Sequence, residues 1–517
     1  MRTLHAATIG VTCAAALTLS LAASTPALPA PPASATPTAD LPGSTQSLPL
    51  VPLTESRAAE ETPVVPQGLT PREVSPFSLL GVVWDDPATE LPGTVEVRTR
   101  ATGTARWSGW QAVETHNDEH AAEPGTPEGD AASVRGATAP LWVGASDAVE
   151  VRVRPTVIDL FGRAAEPAAL PKGLRLELVD PGADPAPATG TPGIPTGGTV
   201  VADGGTGTAG EETGTTGTAG AETAEVSVLP ALSLAQTLAE ARAEGLAVPT
   251  APDTVVPDAV VPDASVVPDA AAPDASVVPD AAAPDTSVVP DAAVAPDAAV
   301  APDTGAPRAA VAAAKPYIGP RPGIVTRKGW GADEKLRESQ FAYTTTVKAA
   351  FIHHSATGNN YTCSQVPSIL RGIYRYHVKS SGWRDIGYNF AVDKCGTIYE
   401  GRAGGVTRAV LGAHTLGFNT NTMGIAVLGS FATTNPPAAA VTAVAKLTAW
   451  KLGLFGANPK GTTTLVSGGG NKYKKGTSVK MNVISGHRDG FATECPGARL
   501  YKKLGTTRTT SARLQGR

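Results

Sequence analysis

The chain has 517 residues, with 46 Pro, 55 Gly and a net charge of −5. That length suggests about two to four domains, but Pro and Gly, unevenly spread at this density, exclude one core running the whole length. The charge is split: from residue 316 onward 27 Lys+Arg face 8 Asp+Glu (+19), and the remainder has 15 against 39 (−24).

At the start, Arg2 precedes an apolar stretch from Ala6 to Ala23, and small residues follow between Ala22 and Ala30. This reads as a secretory signal over 1–30. A membrane anchor is the rival, but no basic stop follows and Ala, Thr and Ser dilute the stretch. Cys13 sits too early for a lipoprotein. No other stretch is apolar enough to span a bilayer. The expected product is secreted, extracellular and cell-wall associated. It keeps Cys363, Cys395 and Cys495. Exported thiols tend to pair, and three is odd, so one should have another task.

Residues 31–73, rich in Pro, Ala and Thr, are expected to be disordered. Over 74–180, Ser78–Trp84 is an apolar run of strand length, while Val95–Arg100, Val149–Arg154 and Leu174–Val179 alternate. Period-2 runs broken by Gly, Pro and Asp predict a small antiparallel β domain. Trp107 and Trp110 could stack on a sugar or serve as core or edge packing. His116 and His120 show no ligand pattern and are assigned to the surface. Residues 181–315 read as a low-complexity linker. Within it Leu229–Leu246 has the spacing of a short amphipathic helix, through Leu232, Leu234, Leu238 and Leu246. Pro-Asp then recurs every five or six residues from Pro252 to Pro302, too short a period for a solenoid. Frequent Pro favours extended chain of about 3.1 Å per residue. A tether and a passive spacer are both compatible with this.

Residues 316–517 read as α/β, a mixed central sheet flanked by helices. Ala349–Ile352 is a buried-strand run leading into His353 and His354. Val366, Ile369, Leu370, Ile373 and Tyr376 have helical spacing. Tyr388–Val392 and Thr397–Tyr399 form a hairpin turning at Lys394–Gly396, Met423–Leu428 is another strand, and Pro437 opens a helix that stops at Gly456. Val483 and Ile484 make a last short strand. The basic excess points to an anionic partner. No DNA-reading motif is present and export argues against nucleic acid, which leaves wall polymer or a membrane surface. Lys472, Lys474, Lys475 and Lys480 also fit a plain solvated loop. Monomer is the default.

Five of the eight His fall between 353 and 487, yet no His-x3-His or Cys-x2-Cys pattern of a zinc finger appears. His353, His487 and Cys495 are of the right types to hold zinc with a fourth position open for water. The alternative is a core His353 and a stray Cys495, and spacing does not separate the two.

Residues 322–504 resemble the peptidoglycan recognition protein family, which shares its fold with type-2 N-acetylmuramoyl-L-alanine amidases. The resemblance lies in Arg327–Ala332, Phe351–Ala356, Gly382–Phe390, Tyr399–Arg402, Gly412–His414, Gly486–Asp489 and Thr493–Gly497, in order. It implies a zinc enzyme cutting the amide between N-acetylmuramic acid and L-alanine in peptidoglycan. His353, His487 and Cys495 match the zinc ligands, Tyr388 matches the catalytic tyrosine, and Thr493 matches a supporting catalytic position where some relatives carry lysine. His377, Arg402, His414 and Asn419 match substrate-groove positions. Side chains of adjacent strand residues point to opposite faces, so only one of His353 and His354 can face the metal. With Cys495 so placed, Cys363 and Cys395 remain to form a disulfide. Non-catalytic relatives lack the cysteine ligand, and Cys495 with Tyr388 favours the enzyme. A binding module that holds peptidoglycan without cutting it, or a structural wall protein, is the alternative.

Overall fold

The computed structural model describes residues 43–53, 65–115, 118–156, 168–184, 226–246 and 316–517. The expected signal, Cys13, His116 and the Pro-Asp repeat lie outside the described residues.

The first part is an antiparallel sheet built from β1 (Ser44–Pro49), β2 (Val51–Pro52), β3 (Gln67–Trp84), β4 (Gly93–Ala101), β5 (Gln111–Val113), β6 (Gly136–Ala137), β7 (Leu141–Pro155) and β8 (Arg175–Asp180). The order is β1-β8-β3-β7-β4-β5, with β2 and β6 also paired to β3. The alternating runs read from sequence are β4, β7 and β8, and Ser78–Trp84 is the buried end of β3. The boundary expected at 74 moves back to 44, because the segment expected to be disordered supplies β1, β2 and the start of β3. β1 lies at the sheet edge, hydrogen-bonded along its length to β8. An edge strand needs one partner and tolerates Pro, so a composition poor in apolar residues does not exclude it.

The second part is a mixed sheet of β9 (Val228–Leu229), β10 (Ile324–Val325), β11 (Ala349–His354), β12 (Phe390–Val392), β13 (Ile398–Glu400), β14 (Thr422–Val427) and, after a separate hairpin of β15 (Thr462–Val466) and β16 (Ser478–Asn482), β17 (Ile484–Gly486). Its order is β17-β11-β14-β12-β13-β10-β9. β11 runs parallel to both β14 and β17 and is buried throughout, as the unbroken run Ala-Ala-Phe-Ile requires of a strand covered on both faces. The helices are α1 (Leu234–Ala243), α2 (Arg327–Trp330), α3 (Val366–Arg375), α4 (Ala438–Leu454), α5 (His487–Gly490), α6 (Ala498–Tyr501) and α7 (Leu504–Leu514). Among the described residues no helix is long and apolar enough to cross a membrane.

The segment read as linker is not all linker. β9 pairs with β10, and α1, opened by a reciprocal Ser233–Gln236 cap, is tied back where the Arg321 amide donates to Thr237 Oγ1 at 2.9 Å. The expected helix is shorter than its apolar pattern. Leu232 lies ahead of it and Leu246 beyond it, and Leu234 is exposed.

Alternation along the strands sorts the second sheet into two faces. Ala350, Ile352, Phe390, Val392, Ile425 and Val427 pack with Val444 and Leu447 of α4 in one core. Ala391 and Ala426 turn the other way, toward Ile369, Leu370 and Ile373 of α3. That second core continues into the first part of the chain through Leu79, Val83 and Val179. α3 is pinned at its start by the disulfide Cys363–Cys395, whose Cα atoms are 6.4 Å apart.

Candidate metal centre

His353 leaves β11 on the α3 side of the sheet, and His487 opens α5 directly after β17. Cys495 lies in the loop after α5 and is the free cysteine among the described residues. Its backbone amide donates to Thr493 Oγ1 at 3.0 Å. Sγ of Cys495 sits 3.8 Å from Nδ1 of His353. His354 points away, with Nε2 3.3 Å from a carboxylate oxygen of Glu114.

A fourth side chain joins them. His120, assigned from sequence to the surface, is buried, and its Nε2 lies 3.9 Å from Cys495 Sγ. Its ring centroid is 4.5 Å from that of His487 and 5.1 Å from that of His353. One ligand atom from each of His120, His353, His487 and Cys495 falls within a 4.8 Å cluster. His120 belongs to the connection between β5 and β6. Its reach across the molecule has no local sequence signature. The available signal was the length of the connection between β5 and β6, since loops longer than about 12–15 residues are uncommon and usually either functional or linkers.

The donor set fits zinc. Zn–S near 2.3 Å and Zn–N near 2.0–2.1 Å in tetrahedral geometry put sulfur and nitrogen ligands about 3.5 Å apart. The two S···N distances above exceed this by a few tenths of an ångström. Neither ring nitrogen of His487 has a hydrogen-bond partner, nor does Nδ1 of His120, although all are buried. Unpaired buried polar atoms are costly, and such orphans call for a missing partner. Burial pushes the three imidazoles well below their usual range, so they are neutral with a lone pair to offer. Burial, followed by Glu119, pushes the Cys495 thiol up. A cation reverses that preference, since a coordinated thiol is deprotonated outright.

The remaining sequence-assigned residues converge on this cluster. The Tyr388 ring is 5.6 Å from both His353 and His120. Thr415 Oγ1 is 3.5 Å from His353 Nε2 and 3.0 Å from His414 Nδ1. Asn419 Oδ1 accepts the His414 and Thr415 amides at 2.7 and 2.9 Å. His377 stacks on Trp383 at 4.4 Å and accepts the Gly387 amide at 3.2 Å. Burial, then Arg402, lowers His377 to about 3, and the same two causes lower His414 to about 3. Asp385 anchors the loop that delivers Tyr388: its carboxylate takes the Ile386 and Ala403 amides and the Arg327 guanidinium.

Arg402 and Asn419, expected to touch substrate, are already occupied. Arg402 makes a paired contact with both carboxylate oxygens of Glu128, at 2.8 Å each. The Asn419 amide donates to Glu123 and its Nδ2 to the Ala121 carbonyl. Thr493 Oγ1 donates to Glu119 at 2.5 Å.

Residues 343–498 match the N-acetylmuramoyl-L-alanine amidase family. The second part is 31% identical over 185 residues to peptidoglycan-recognition protein SC2 of Drosophila simulans, a match covering 35% of this chain and 85% of that protein. The chain belongs to the peptidoglycan recognition protein family. This recognition-protein part is also 33% identical over 137 residues to the human N-acetylmuramoyl-L-alanine amidase, covering 26% of this chain and 20% of that protein. Among solved structures it is similar to Drosophila PGRP-LB, at 26% identity and a TM-score of 0.28, covering 35% of this chain and 92% of that one. Residues 31–190, ahead of the recognition-protein part, match the family described as Rv3811 N-terminal galactose-binding domain-like.

Proposed function

We propose that this protein is a secreted, zinc-dependent N-acetylmuramoyl-L-alanine amidase that hydrolyses the bond between muramic acid and the stem peptide of peptidoglycan. The observation that carries the reading is the buried Cys495 thiol beside His353, with the bare ring nitrogens of His487 next to it. The resemblance implies that non-catalytic relatives lack the cysteine, so the retained Cys495 thiol supports the enzyme over a pure binding module.

His353, His487 and Cys495 would hold the ion. Bound zinc supplies Lewis acidity toward a carbonyl and toward water. The rest is done by the chain. Thr493 fixes the Cys495 backbone, and the Thr415 hydroxyl, held through Asn419, sets the His353 ring. Such partners orient ligands and tune their basicity. Burial, with Cys495 and Glu119 nearby, pushes the Tyr388 hydroxyl well above its usual range. It therefore keeps its proton at neutral pH and can donate to the oxyanion forming on the scissile carbonyl. The basic excess of the second part suits an anionic wall.

The test uses the full chain and a His120→Ala variant that clears the fourth corner of the cluster. Both are incubated with purified peptidoglycan, with and without a zinc chelator, and soluble products are weighed by mass spectrometry. The expected result is release of stem peptides with a free L-alanine amino terminus, lost on chelation, restored by zinc, and absent after Cys495→Ala together with the metal. Stoichiometric zinc with wall binding but no release from either protein would make this a recognition module.

A further inference from the structure

We propose that His120 is a fourth metal ligand and that the acidic connection carrying it closes the substrate groove, so that the chain folded in this way is a latent enzyme. The inference rests on the zinc reading above.

Its first support is the place His120 takes. Nε2 lies 3.9 Å from Cys495 Sγ, and the ring stands 4.5 Å from His487 and 5.6 Å from Tyr388. This is the corner left to water and substrate when zinc has three protein ligands. Catalytic sites keep that position open, whereas four protein ligands describe a closed, structural site.

The second support is independent of the metal. The connection between β5 and β6 places carboxylates along the groove in succession. Glu119 receives the Thr493 hydroxyl, Glu123 receives the Asn419 amide, and Glu128 clasps Arg402. Backbone contacts reinforce them. The Leu416 amide donates to the Glu119 carbonyl at 2.8 Å, and the Arg384 amide to Glu128 at 3.2 Å. A Cβ on Gly382 would come within 1.9 Å of the Ser133 carbonyl, so the loop packs directly on this backbone. Donors that hold three loop carboxylates can hold the carboxylates of a peptide ligand instead, and the loop occupies the groove as a competitor in cis.

Only the loop need move. The first part is fastened elsewhere, through Leu79 and Val179 against α3 and through Tyr376 Oη donating to the Thr138 carbonyl at 3.0 Å. Withdrawal of residues 118–135 would open the metal corner and free Arg402, Asn419 and Thr493 together.

The experiment compares the full-length wild type with His120→Ala, each stripped of metal and loaded with one equivalent of Co(II). In the wild type the visible spectrum should not respond to added acetohydroxamate, because no ligand position is free; in His120→Ala it should shift. Competition with a chromogenic chelator should show His120→Ala holding zinc at least tenfold more weakly, and stem-peptide release should rise at least tenfold. A Glu123→Ala/Glu128→Ala double variant keeps His120 but unpins the loop. It should also become responsive to hydroxamate, which carries the test if His120→Ala folds poorly. If both proteins hold Co(II) and respond alike, or if His120→Ala cuts no faster than wild type, latency is overturned while the metal site stands. If neither holds Co(II), the metal reading itself falls and this inference with it.

Discussion

The first part of the chain touches the recognition-protein part in two ways that differ in chemistry. Against α3 it presents Leu79, Val83 and Val179, fully buried and continuous with the core of the recognition-protein part. Over the groove it presents Glu119, His120, Glu123 and Glu128, each paired with a polar group on the other side. Apolar contacts have nothing to exchange with and favour permanent burial. Paired polar groups can trade one partner for another of like charge. The same domain can therefore be both an integral wall of the fold and a displaceable plug.

The sharpest way to break this comparison is Leu79→Ala. Leu79 is fully buried, and one of its methyl carbons lies 3.2 Å from where a Cβ on Gly372 would stand. The expected loss of global stability is about 2–5 kcal/mol, read by urea unfolding, with both parts melting together. Separate melting of the two parts would show that the α3 contact is not part of one core. Glu128→Ala probes the other contact. In a sealed interior, removing one partner of a buried pair costs about 3–5 kcal/mol. Here the freed Arg402 can be rehydrated once the loop lifts, so the global loss should stay under about 1 kcal/mol. Faster hydrogen exchange should appear at the Leu416 and Asn419 amides, which donate to the loop. A full-sized global loss without local exchange would make the loop as fixed as the α3 face.

A smaller effect serves as an internal reference away from both contacts. Burial lowers Lys451 from its ordinary 10.5 to about 7, and its Nζ donates to the Val406 and Arg408 carbonyls at 2.5 and 2.6 Å. Between about pH 7 and 10 the unfolded chain binds this proton and the folded chain does not, so stability rises with pH across that window. Below about pH 7 both states bind it and the difference stops changing. Relative to Lys451→Met, wild type should gain stability by up to about 1.4 kcal/mol per pH unit over that range. A flat difference would mean that Lys451 stays charged in the fold.

The sequence was readable where chemistry is local. The β11 run, the hairpin about Lys394–Gly396, and α4 from Pro437 follow from periodicity and cap chemistry, and the structure differs from those readings by one or two residues. The cluster of His353, His487 and Cys495 follows from the resemblance alone, because a strand end, a helix start and a loop far apart in the chain share no spacing. His120 escaped both approaches. It lies 375 residues before Cys495, in a part of the chain that the resemblance does not reach, and a lone His in a polar stretch has no period to betray it. β1 and β9 escaped because pairing at a sheet edge asks little of composition.

β9 has a practical bearing on where the recognition-protein part begins. Ser227 accepts the Thr326 amide at 3.1 Å, and its carbonyl occupies the space beside Gly329, where a Cβ would come within 2.0 Å. A recombinant product started at residue 316 would strip this strand from β10 and leave an open backbone ladder, a template for chain-to-chain association. Started at 226, the same product would carry its own edge guard, and the glycine of the Lys328-Gly329-Trp330 stretch would keep the neighbour that explains its missing side chain.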